Sequence, residues 1–441
     1  MFLRRQSWVK LLFGVFLFSF GFLSHGVASK NALPVPCDEF YVPCNMSYHN
    51  VATLGIVPKQ VLQKTRDEMD VLQTLTANEY FGMNLGTESF PKPSFLTRME
   101  NVRDLVSKFI GCFKNETVLF PSTTLALNAI ATGLVESKFL KQGDEILTTD
   151  QEHAGGIAGW VHYSSGQYKD FLTLNRIPLP IPDTRSISEI VDDFEQYLVK
   201  KFPRTKVLAI SHVSTTTGAT LPIKEITAMA HLHGVSVVID GAQAFGMDVN
   251  VTDLGVDAYA TSAHKWILAP TGNGILFVKS KFQKHIYATV LDGGAEVYTR
   301  TVGTRPAHSI IGLGHAINFW HRYGRDEIVK FNLRLAKSAW KQLQKDPMFI
   351  MLSRCPDESK PSESAPIVSI TWKNSSKTAV EVGKKAFDKY GLVVKMTGRT
   401  QFPGEWPPTG PSEALRLTFH MFNTDDDVKK LVASLSEILS E

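Results

Sequence analysis

Lys265 has the surroundings in this chain best suited to covalent chemistry. It lies in the stretch TSAHKW at 261–266, among small and polar residues that follow a predicted strand. A lysine amine can form a Schiff base with an aldehyde, and desolvation can lower its pKa enough to keep the free amine available. An isolated lysine is more often a solvated surface residue, so this interpretation depends on the residues upstream.

Asp240, about 25 residues earlier in the chain, supports a chemical role for Lys265. It ends the apolar, β-branched run VSVVID at 235–240, which predicts a buried parallel strand. Open α/β sheets bind ligands at the carboxyl ends of such strands, although an acid there can equally be a turn or cap residue. Together with Lys265, Asp240 indicates a pyridoxal phosphate site, in which the acid keeps the pyridine nitrogen protonated.

VVIDGAQAFG and TSAHKW resemble the class V aminotransferase family of pyridoxal phosphate enzymes, the branch with cysteine desulfurases, cysteine lyases and isopenicillin N epimerases. The resemblance extends over nearly all of the chain after residue 45. It implies the fold-type I architecture, an α/β large domain with a mostly parallel seven-stranded sheet and a small α+β C-terminal domain. The strand at 274–278 would run antiparallel. We therefore predict four units, which are a signal peptide at 1–28, an extension at 29–45, a large cofactor-binding domain at 46–300 and a small domain at 301–441.

The resemblance also implies the residues that hold the phosphate. A short strand, the hydroxyl-rich PSTT at 121–124 and a helix form a phosphate cradle, although plain helix capping uses the same residues. Thr123 and Thr124 match the family's phosphate threonines, and Ser262 and His264 would add donors.

A Gly-Thr loop at 303–304 resembles the loop whose threonine reaches the cofactor phosphate of the neighbouring subunit. Thr304 would then be shared between subunits, which predicts a homodimer. A loop that only opens the following helix is an equal alternative from the residues themselves.

Three further residues are implied around the cofactor ring. His153 follows a predicted strand at the point where the resembling enzymes stack a histidine on the pyridine, and it can shuttle a proton. A hydrogen-bonded core histidine is the alternative. Thr215 stands where desulfurases usually carry an asparagine near the phenolic oxygen, and its hydroxyl has a shorter reach. Gln243 is the third residue that the resemblance places around the cofactor ring.

Arg416 is the candidate for binding the substrate carboxylate. It lies in the alternating apolar strand ALRLTF at 414–419, and a planar guanidinium clamps a carboxylate with two hydrogen bonds. Ala52 lies in a stretch whose backbone approaches the substrate in the family, although a turn before the next helix explains it equally. Arg399 and Arg305 add cations near the expected site, which suggests a second acidic group on the substrate. We recognise no metal-ligand spacing.

Composition and the N-terminus predict the class of protein and its cellular location. The 441 residues are 43% hydrophobic and 20% charged, which is typical of a globular chain, and a net charge of +4 without a basic run beyond the N-terminus gives no support to a nucleic-acid partner. A basic start, an apolar run at 11–23 and small residues predict a secretory signal cleaved after Ala28. An uncleaved signal anchor is the second interpretation, and after cleavage no stable membrane span is expected.

Two sequence features fit a secreted glycoprotein. Asn-X-Ser/Thr triplets occur at Asn45, Asn115, Asn250 and Asn374, although such triplets also arise by chance. Cys37 and Cys44 could close a small disulfide loop in an oxidising compartment, or remain two free buried thiols.

We expect an enzyme that acts on a small-molecule amino acid, with Lys265 as the general base at Cα. The preferred hypothesis is carbon–sulfur β-elimination or aminotransferase-like chemistry, and the alternative is epimerisation like that of isopenicillin N epimerase. A secreted binding protein that keeps only the fold is a further alternative, which loss of Lys265 or Asp240 would have favoured. The loop at 397–405 lacks the cysteine that persulfide-transferring desulfurases use, so a sulfur substrate predicts β-elimination to pyruvate and ammonia.

Overall fold

The computed structural model describes residues 32–81, 93–286, 304–373, 375–397 and 411–441. The predicted signal peptide with its cleavage point after Ala28, the glycosylation triplet at Asn374 and the predicted carboxylate ligand Arg399 lie outside these residues. No helix in the described ranges is both long and apolar enough to cross a bilayer.

The helices of the described residues are α1 (Lys59–Phe81), α2 (Phe95–Ile110), α3 (Thr123–Glu136), α4 (Ala154–His162), α5 (Ile187–Gln196), α6 (Ile223–Leu232), α7 (Val251–Leu254), α8 (Ser280–Gln283), α9 (Ala307–Tyr323), α10 (Arg325–Leu343), α11 (Ala379–Tyr390) and α12 (Asp425–Ser440). The strands are β1 (Ser47–Tyr48), β2 (Thr117–Phe120), β3 (Asp144–Thr149), β4 (Leu172–Ile177), β5 (Thr205–Ser211), β6 (Ser236–Asp240), β7 (Ala258–Ser262), β8 (Gly274–Val278), β9 (Phe349–Met351), β10 (Ile367–Trp372), β11 (Leu392–Val393), β12 (Lys395–Thr397) and β13 (Ala414–Thr418).

A seven-stranded sheet in the order β2-β8-β7-β6-β5-β3-β4 forms the centre of the large domain. Its pairs are parallel from β4 through β7, and β8 runs antiparallel to both β7 and β2. Every residue of β7 and β8 is buried, because helices cover both faces of the sheet. The predicted α/β fold with a mostly parallel sheet and an antiparallel strand at 274–278 is confirmed.

The sheet separates two apolar cores. Along β6 the side chains alternate, so that Val237 and Ile239 join the larger core and Val238 joins the core on the other face. A third core lies between α10, α11, α12 and a four-stranded antiparallel sheet in the order β12-β13-β10-β9. Helix α9 packs against α1 and α2 and belongs to the larger core. The predicted boundary at residue 301 lies outside the described residues and stays a prediction.

The predicted N-terminal extension packs onto the C-terminal part of the chain. Cys37 and Cys44 form a disulfide, which decides between the two possibilities that the sequence left open. The Val35 amide donates to the Met421 carbonyl at 2.7 Å, and the Phe40 ring packs edge-on against Phe422. The extension is therefore part of the folded protein.

Candidate active site

A cavity of about 400 Å³ lies where the carboxyl ends of the large sheet meet the four-stranded sheet. It is lined by most of the residues that the sequence singled out, which are Ala52, Thr123, Thr124, His153, Thr215, Asp240, Gln243, Ser262, His264, Lys265 and Arg416. Thr304 is exposed three residues before α9 and does not line the cavity. Chain segments that are far apart in sequence thus converge on one site of the size that a small cofactor and its substrate need.

The backbone around Lys265 is fixed from two sides. Lys265 lies in the turn after β7, and the Gly55 amide donates to the neighbouring His264 carbonyl at 2.7 Å. A Cβ atom at Gly55 would overlap the Lys265 carbonyl oxygen, so only glycine permits this approach. On the other side, the Trp266 indole donates to Gln243 Oε1 at 3.0 Å. These contacts hold the lysine at a defined place in the cavity.

The pKa of Lys265 is lowered to about 8. Burial is the main cause, the positive charge of Arg416 acts in the same direction, and the carboxylate of Asp240 opposes both. About a tenth of the amines are then neutral at pH 7, whereas an ordinary lysine is almost wholly protonated. A neutral amine is the form that attacks an aldehyde, so the cavity prepares Lys265 for the predicted Schiff base.

Asp240 ends β6 with one carboxylate oxygen bonded and the other directed at helix α4. Its Oδ1 accepts the Ala242 amide at 2.9 Å. A Cβ atom at Gly156 of α4 would collide with Oδ2, so the glycine leaves room beside this oxygen. Asp240 is therefore a buried carboxylate with an oxygen available to a ligand in the cavity.

His153 lines the cavity as a neutral ring. Its Nδ1 accepts the Gly155 amide at 3.1 Å, which leaves Nε2 to carry the proton. Burial lowers its pKa, and the charges of Lys265 and Arg416 act in the same direction against Asp240. The imidazole can thus present a flat, uncharged face to a ligand.

Glu152, which the sequence reasoning did not single out, lies buried behind the site. Ser211 donates to its Oε2, and Thr149 donates to its Oε1 at 2.7 Å. Burial raises its pKa to about 7, and the negative charge of Asp240 adds to the effect. Glu152 is largely protonated below neutral pH, so it adds little negative charge beside Asp240.

Three polar atoms of the cavity fit a phosphate group. Thr123 Oγ1, Ser262 Oγ and His264 Nδ1 are buried without a hydrogen-bond partner among the described residues. Buried polar atoms are nearly always bonded, so such a cluster indicates a ligand with several acceptor or donor atoms. The N-terminus of the 14-residue α3, capped by Ser122, faces the same space and favours an anion. These donors, with Lys265 and Asp240, fit pyridoxal phosphate.

Arg416 is a buried guanidinium without an anionic partner among the described residues. It donates to the Thr215 carbonyl at 2.9 Å, to Thr53 Oγ1 at 2.6 Å and to Asn50 Oδ1 at 3.3 Å, while its Nε remains unbonded. Burial lowers its pKa to about 10. A buried positive charge held only by neutral groups is suited to a substrate carboxylate.

Gln243 has both of its amide atoms bonded within the protein. Its Nε2 donates to the Ala52 carbonyl at 2.9 Å, and its Oε1 accepts the Trp266 indole. This residue therefore ties the Ala52 turn to the lysine turn, in addition to lining the cavity. Its predicted contact with the cofactor stays a prediction.

The sequence reasoning gave no role to several residues of the site, which are Asn50, Thr53, Glu152, Gly156 and Lys395, whereas Ser122 lies within the predicted phosphate cradle. Lys395 had a local signal, since it is a charged residue directly after the apolar run LVV at 392–394. Glu152 had none, because only its burial among hydroxyl groups distinguishes it from a surface acid. In the described ranges no three His, Cys, Asp or Glu side chains are arranged to hold a metal ion.

The family model of class-V aminotransferases matches residues 55–431 of this chain. A cysteine desulfurase of Salmonella agona is 28% identical over 394 residues, which cover 85% of this chain and 91% of the relative. Among solved structures, a mutant of C-DES with glycine covalently linked to its PLP cofactor has a TM-score of 0.74 at 21% identity, covering 91% of this chain and 98% of that one. The cystine C-S lyase C-DES with its reaction product cysteine persulfide has a TM-score of 0.71 at 21% identity, with 89% and 98% covered. This chain therefore belongs to the class-V aminotransferases, a family of pyridoxal phosphate enzymes.

Proposed function

We propose that the protein is a pyridoxal phosphate enzyme that cleaves a carbon–sulfur bond of a sulfur-containing amino acid by β-elimination. The observation that carries the proposal is one cavity with an amine of lowered pKa at Lys265, a carboxylate at Asp240 and a buried, unpaired cation at Arg416. The similarity to cysteine desulfurases and to a cystine C-S lyase supports sulfur amino acids as substrates.

Each side chain has a defined part in this chemistry. Thr123, Ser262 and His264 would hold the phosphate, Thr124 lies beside them, and Asp240 would hold the pyridine nitrogen in its protonated form. Pyridoxal phosphate, when bound, supplies an electron sink that makes the Cα proton of an attached amino acid acidic.

Proton transfer would be the task of Lys265. Its amine would hold the cofactor, and once freed by a substrate amino group it would accept the Cα proton. Arg416 would fix the α-carboxylate, and the flat ring of His153 would cover the site and exclude water. The sulfur group would leave Cβ with the bonding electron pair, and water would complete the release of pyruvate and ammonia.

The cysteines favour elimination over transfer of sulfur to the protein. Cys37 and Cys44 are joined, and burial raises the pKa of Cys112 to about 11 and raises that of Cys355. These are all four cysteines of the chain, and none lines the cavity. A thiolate acceptor for a persulfide requires a lowered pKa and access to the substrate.

Incubation of purified holoprotein with cysteine, cystine and other amino acids tests the proposal. We expect pyruvate and ammonia in equal amounts with a sulfur product. Alanine with an enzyme-bound persulfide, detected by mass spectrometry after one turnover, would overturn β-elimination. Keto acids without sulfur release would indicate transamination, and loss of optical activity without release would indicate epimerisation.

We also propose secretion with glycosylation. The Cys37–Cys44 disulfide supports an oxidising compartment, and the asparagines of the triplets at Asn45 and Asn115 are exposed. The Asn250 side chain instead accepts the amides of Thr252 and Asp253 as the cap of α7. Expression in secreting cells should give a protein that begins after Ala28 and carries glycans at Asn45 and Asn115, as read by N-terminal sequencing and glycopeptide mass spectrometry; an unprocessed N-terminus would contradict it.

A homodimer is the last part of the proposal. Exposed Thr304 does not line the cavity of its own subunit, which supports a role in the cavity of a neighbouring subunit. Light scattering of the purified protein should give twice the chain mass. A monomer with full activity would exclude this arrangement.

A further inference from the structure

Lys395 places a second positive charge beside Arg416. In the antiparallel pair of β12 and β13, Lys395 is directly opposite Arg416, and Met396 is opposite Leu415. Lys395 and Arg416 both line the active-site cavity. Directly opposite residues of an antiparallel pair have Cβ atoms about 5 Å apart on the same face of the sheet.

The packing of the neighbouring residues fixes the direction of this pair. Met396 contacts α11, where a Cβ atom at Gly383 would lie 2.5 Å from its Sδ. Leu415 lies in the core of the four-stranded sheet. Since side chains alternate along a strand, Lys395 and Arg416 point to the opposite face, toward the large domain and the cofactor site.

This arrangement is unfavourable unless an anion joins it. Like charges directly opposite each other on two strands destabilise a sheet. Among the described residues neither cation has a carboxylate within salt-bridge distance, and the polar contacts of Arg416 are all to neutral atoms. Two neighbouring cations that both line the cavity therefore indicate a ligand with more than one negative charge.

The other charges of the cavity are already matched in the proposed function. Asp240 is matched by the protonated pyridine, and the phosphate is matched by the N-terminus of α3 and its donors. The α-carboxylate of the substrate matches the buried Arg416. Lys395 remains as an exposed cation of the cavity lining, and the group on the substrate sulfur is the part of the substrate to which no partner has been assigned.

We propose that Lys395 selects sulfur amino acids with a second carboxylate on the group attached to sulfur, so that the substrates are acidic S-substituted cysteines. This inference rests on the proposed C–S lyase function. The Cβ–S bond breaks, and the sulfur leaves with both electrons as a thiolate that takes up a proton, while Lys265 accepts the Cα proton. Lys395 binds the part of the substrate that departs, so it determines specificity and leaves the chemical step unchanged.

The test compares two substrates that differ only in charge, S-carboxymethylcysteine and its amide S-carbamoylmethylcysteine. Lys395→Met should lower kcat/KM for the carboxylate about threefold to fivefold, mainly through KM, because an ion pair with an exposed ammonium contributes at most about that factor. The value for the amide should stay within about twofold. Lys395→Arg should restore most of the preference, and Lys384→Met, at an exposed lysine of α11, is the matched control.

Three results would overturn the inference. An equal loss for both substrates would assign Lys395 to a part that they share, the α-carboxylate or the cofactor. No loss for either would make Lys395 a solvated residue, and the same selective loss for the carboxylate in Lys384→Met would make the effect one of net charge.

Binding separates this inference from the proposed function. In a Lys265→Ala background, calorimetry should show tighter binding of the carboxylate than of the amide, and Lys395→Met should remove the difference. If the wild type forms no pyruvate while this binding preference persists, the proposed elimination fails and the selectivity of Lys395 stands. If pyruvate forms but no preference exists, the selectivity fails alone.

Discussion

Burial shifts the pKa values of the site residues in the direction that each role requires. It lowers the pKa of Lys265 to about 8 and raises that of Glu152 to about 7, because a low dielectric disfavours the charged form of either group. The same burial makes these residues costly for folding, since a charge in the cavity is less well solvated than in the unfolded chain. Function and stability therefore oppose each other at single residues of this site.

Lys265→Met should abolish turnover and stabilise the cofactor-free protein. A lysine whose pKa falls from 10.5 unfolded to about 8 folded contributes stability above pH 10.5 and loses it as the pH falls through 8. At pH 7 the gain in the free energy of unfolding should reach up to about 3 kcal/mol. Urea unfolding of apoprotein measures it, with Lys384→Met as control. An active Lys265→Met variant with the same products would refute the mechanism.

Glu152→Gln should change how stability depends on pH. A carboxyl group whose pKa rises from 4.5 unfolded to about 7 folded contributes stability below pH 4.5 and loses it as the pH rises through 7. The neutral glutamine removes this loss, although one donor to the buried amide oxygen must reorient. Between pH 5 and 8 the unfolding free energy of the wild type should therefore fall relative to the variant, by up to about 3 kcal/mol. If the unfolding free energies of the wild type and the variant changed in parallel over this pH range, Glu152 would be ionised in the folded protein.

Arg416→Lys should raise KM at least tenfold with a smaller change in kcat. The ammonium keeps the charge but loses the two-pronged geometry, and the contacts to Thr53 and the Thr215 carbonyl cannot all be kept. Steady-state kinetics with one sulfur amino acid measures it. An unchanged KM would move the carboxylate site to Arg305 or Arg399.

At the scale of elements, helix α4 begins close to the site because its first residues are small. Gly155 and Gly156 bring the backbone against Thr124 and Asp240, where any side chain would collide. The same turn presents His153 to the cavity. The glycine-rich start AGGIAG of this helix is thus a requirement of the site, at a cost in helix propensity.

Gly156→Ala should weaken cofactor retention more than Gly159→Ala does. The methyl group at 156 would meet Asp240 Oδ2, whereas that at 159, one turn further along the helix, would lie 2.8 Å from Ala131 Cβ of α3. Both variants strain the packing of α4, so Gly159→Ala controls for lost stability. Dialysis followed by the absorbance of the retained cofactor measures the difference. Equal retention in both variants would show that the space beside Asp240 is not needed.

At the scale of the whole molecule, the extension links the N-terminal region to the C-terminal segment. The disulfide closes a loop with a sequence separation of 7, next to the contact of Val35 with Met421. The segment at 420–423 in turn reaches the lysine turn, since His420 donates to the Trp266 carbonyl at 2.8 Å. The extension therefore supports the site through the C-terminal segment.

Replacing Cys37 and Cys44 by serine should lower the free energy of unfolding by about 2 to 3 kcal/mol, the value expected for a loop of this length. Turnover at low temperature should persist, because neither cysteine lines the cavity. Urea unfolding of the wild type with and without reductant gives the same comparison. Unchanged stability would mean that the loop is held by its packing.

The sequence by itself determined the strands and the chemistry at their ends. Alternation and β-branched runs depend on local pattern, so the strand at 274–278, the acid at 240 and the lysine at 265 could be identified without a structure. The turn chemistry of PSTT likewise located the start of α3, because capping depends on residues within one turn.

Only the tertiary structure decided which distant groups meet. The register of β12 against β13 sets Lys395 opposite Arg416, and no local pattern specifies it, since Met396 lies beside Gly383 of α11 and Leu415 lies in the third core. Burial raises the pKa of Glu152 to about 7, against the hydrogen bonds from Thr149 and Ser211, while the same residue in water would be charged at that pH. The structure also decided that Cys37 pairs with Cys44 and that both amide atoms of Gln243 are bonded within the protein. Contacts between residues far apart in sequence arise from the packing of whole elements, and a local pattern does not carry that information.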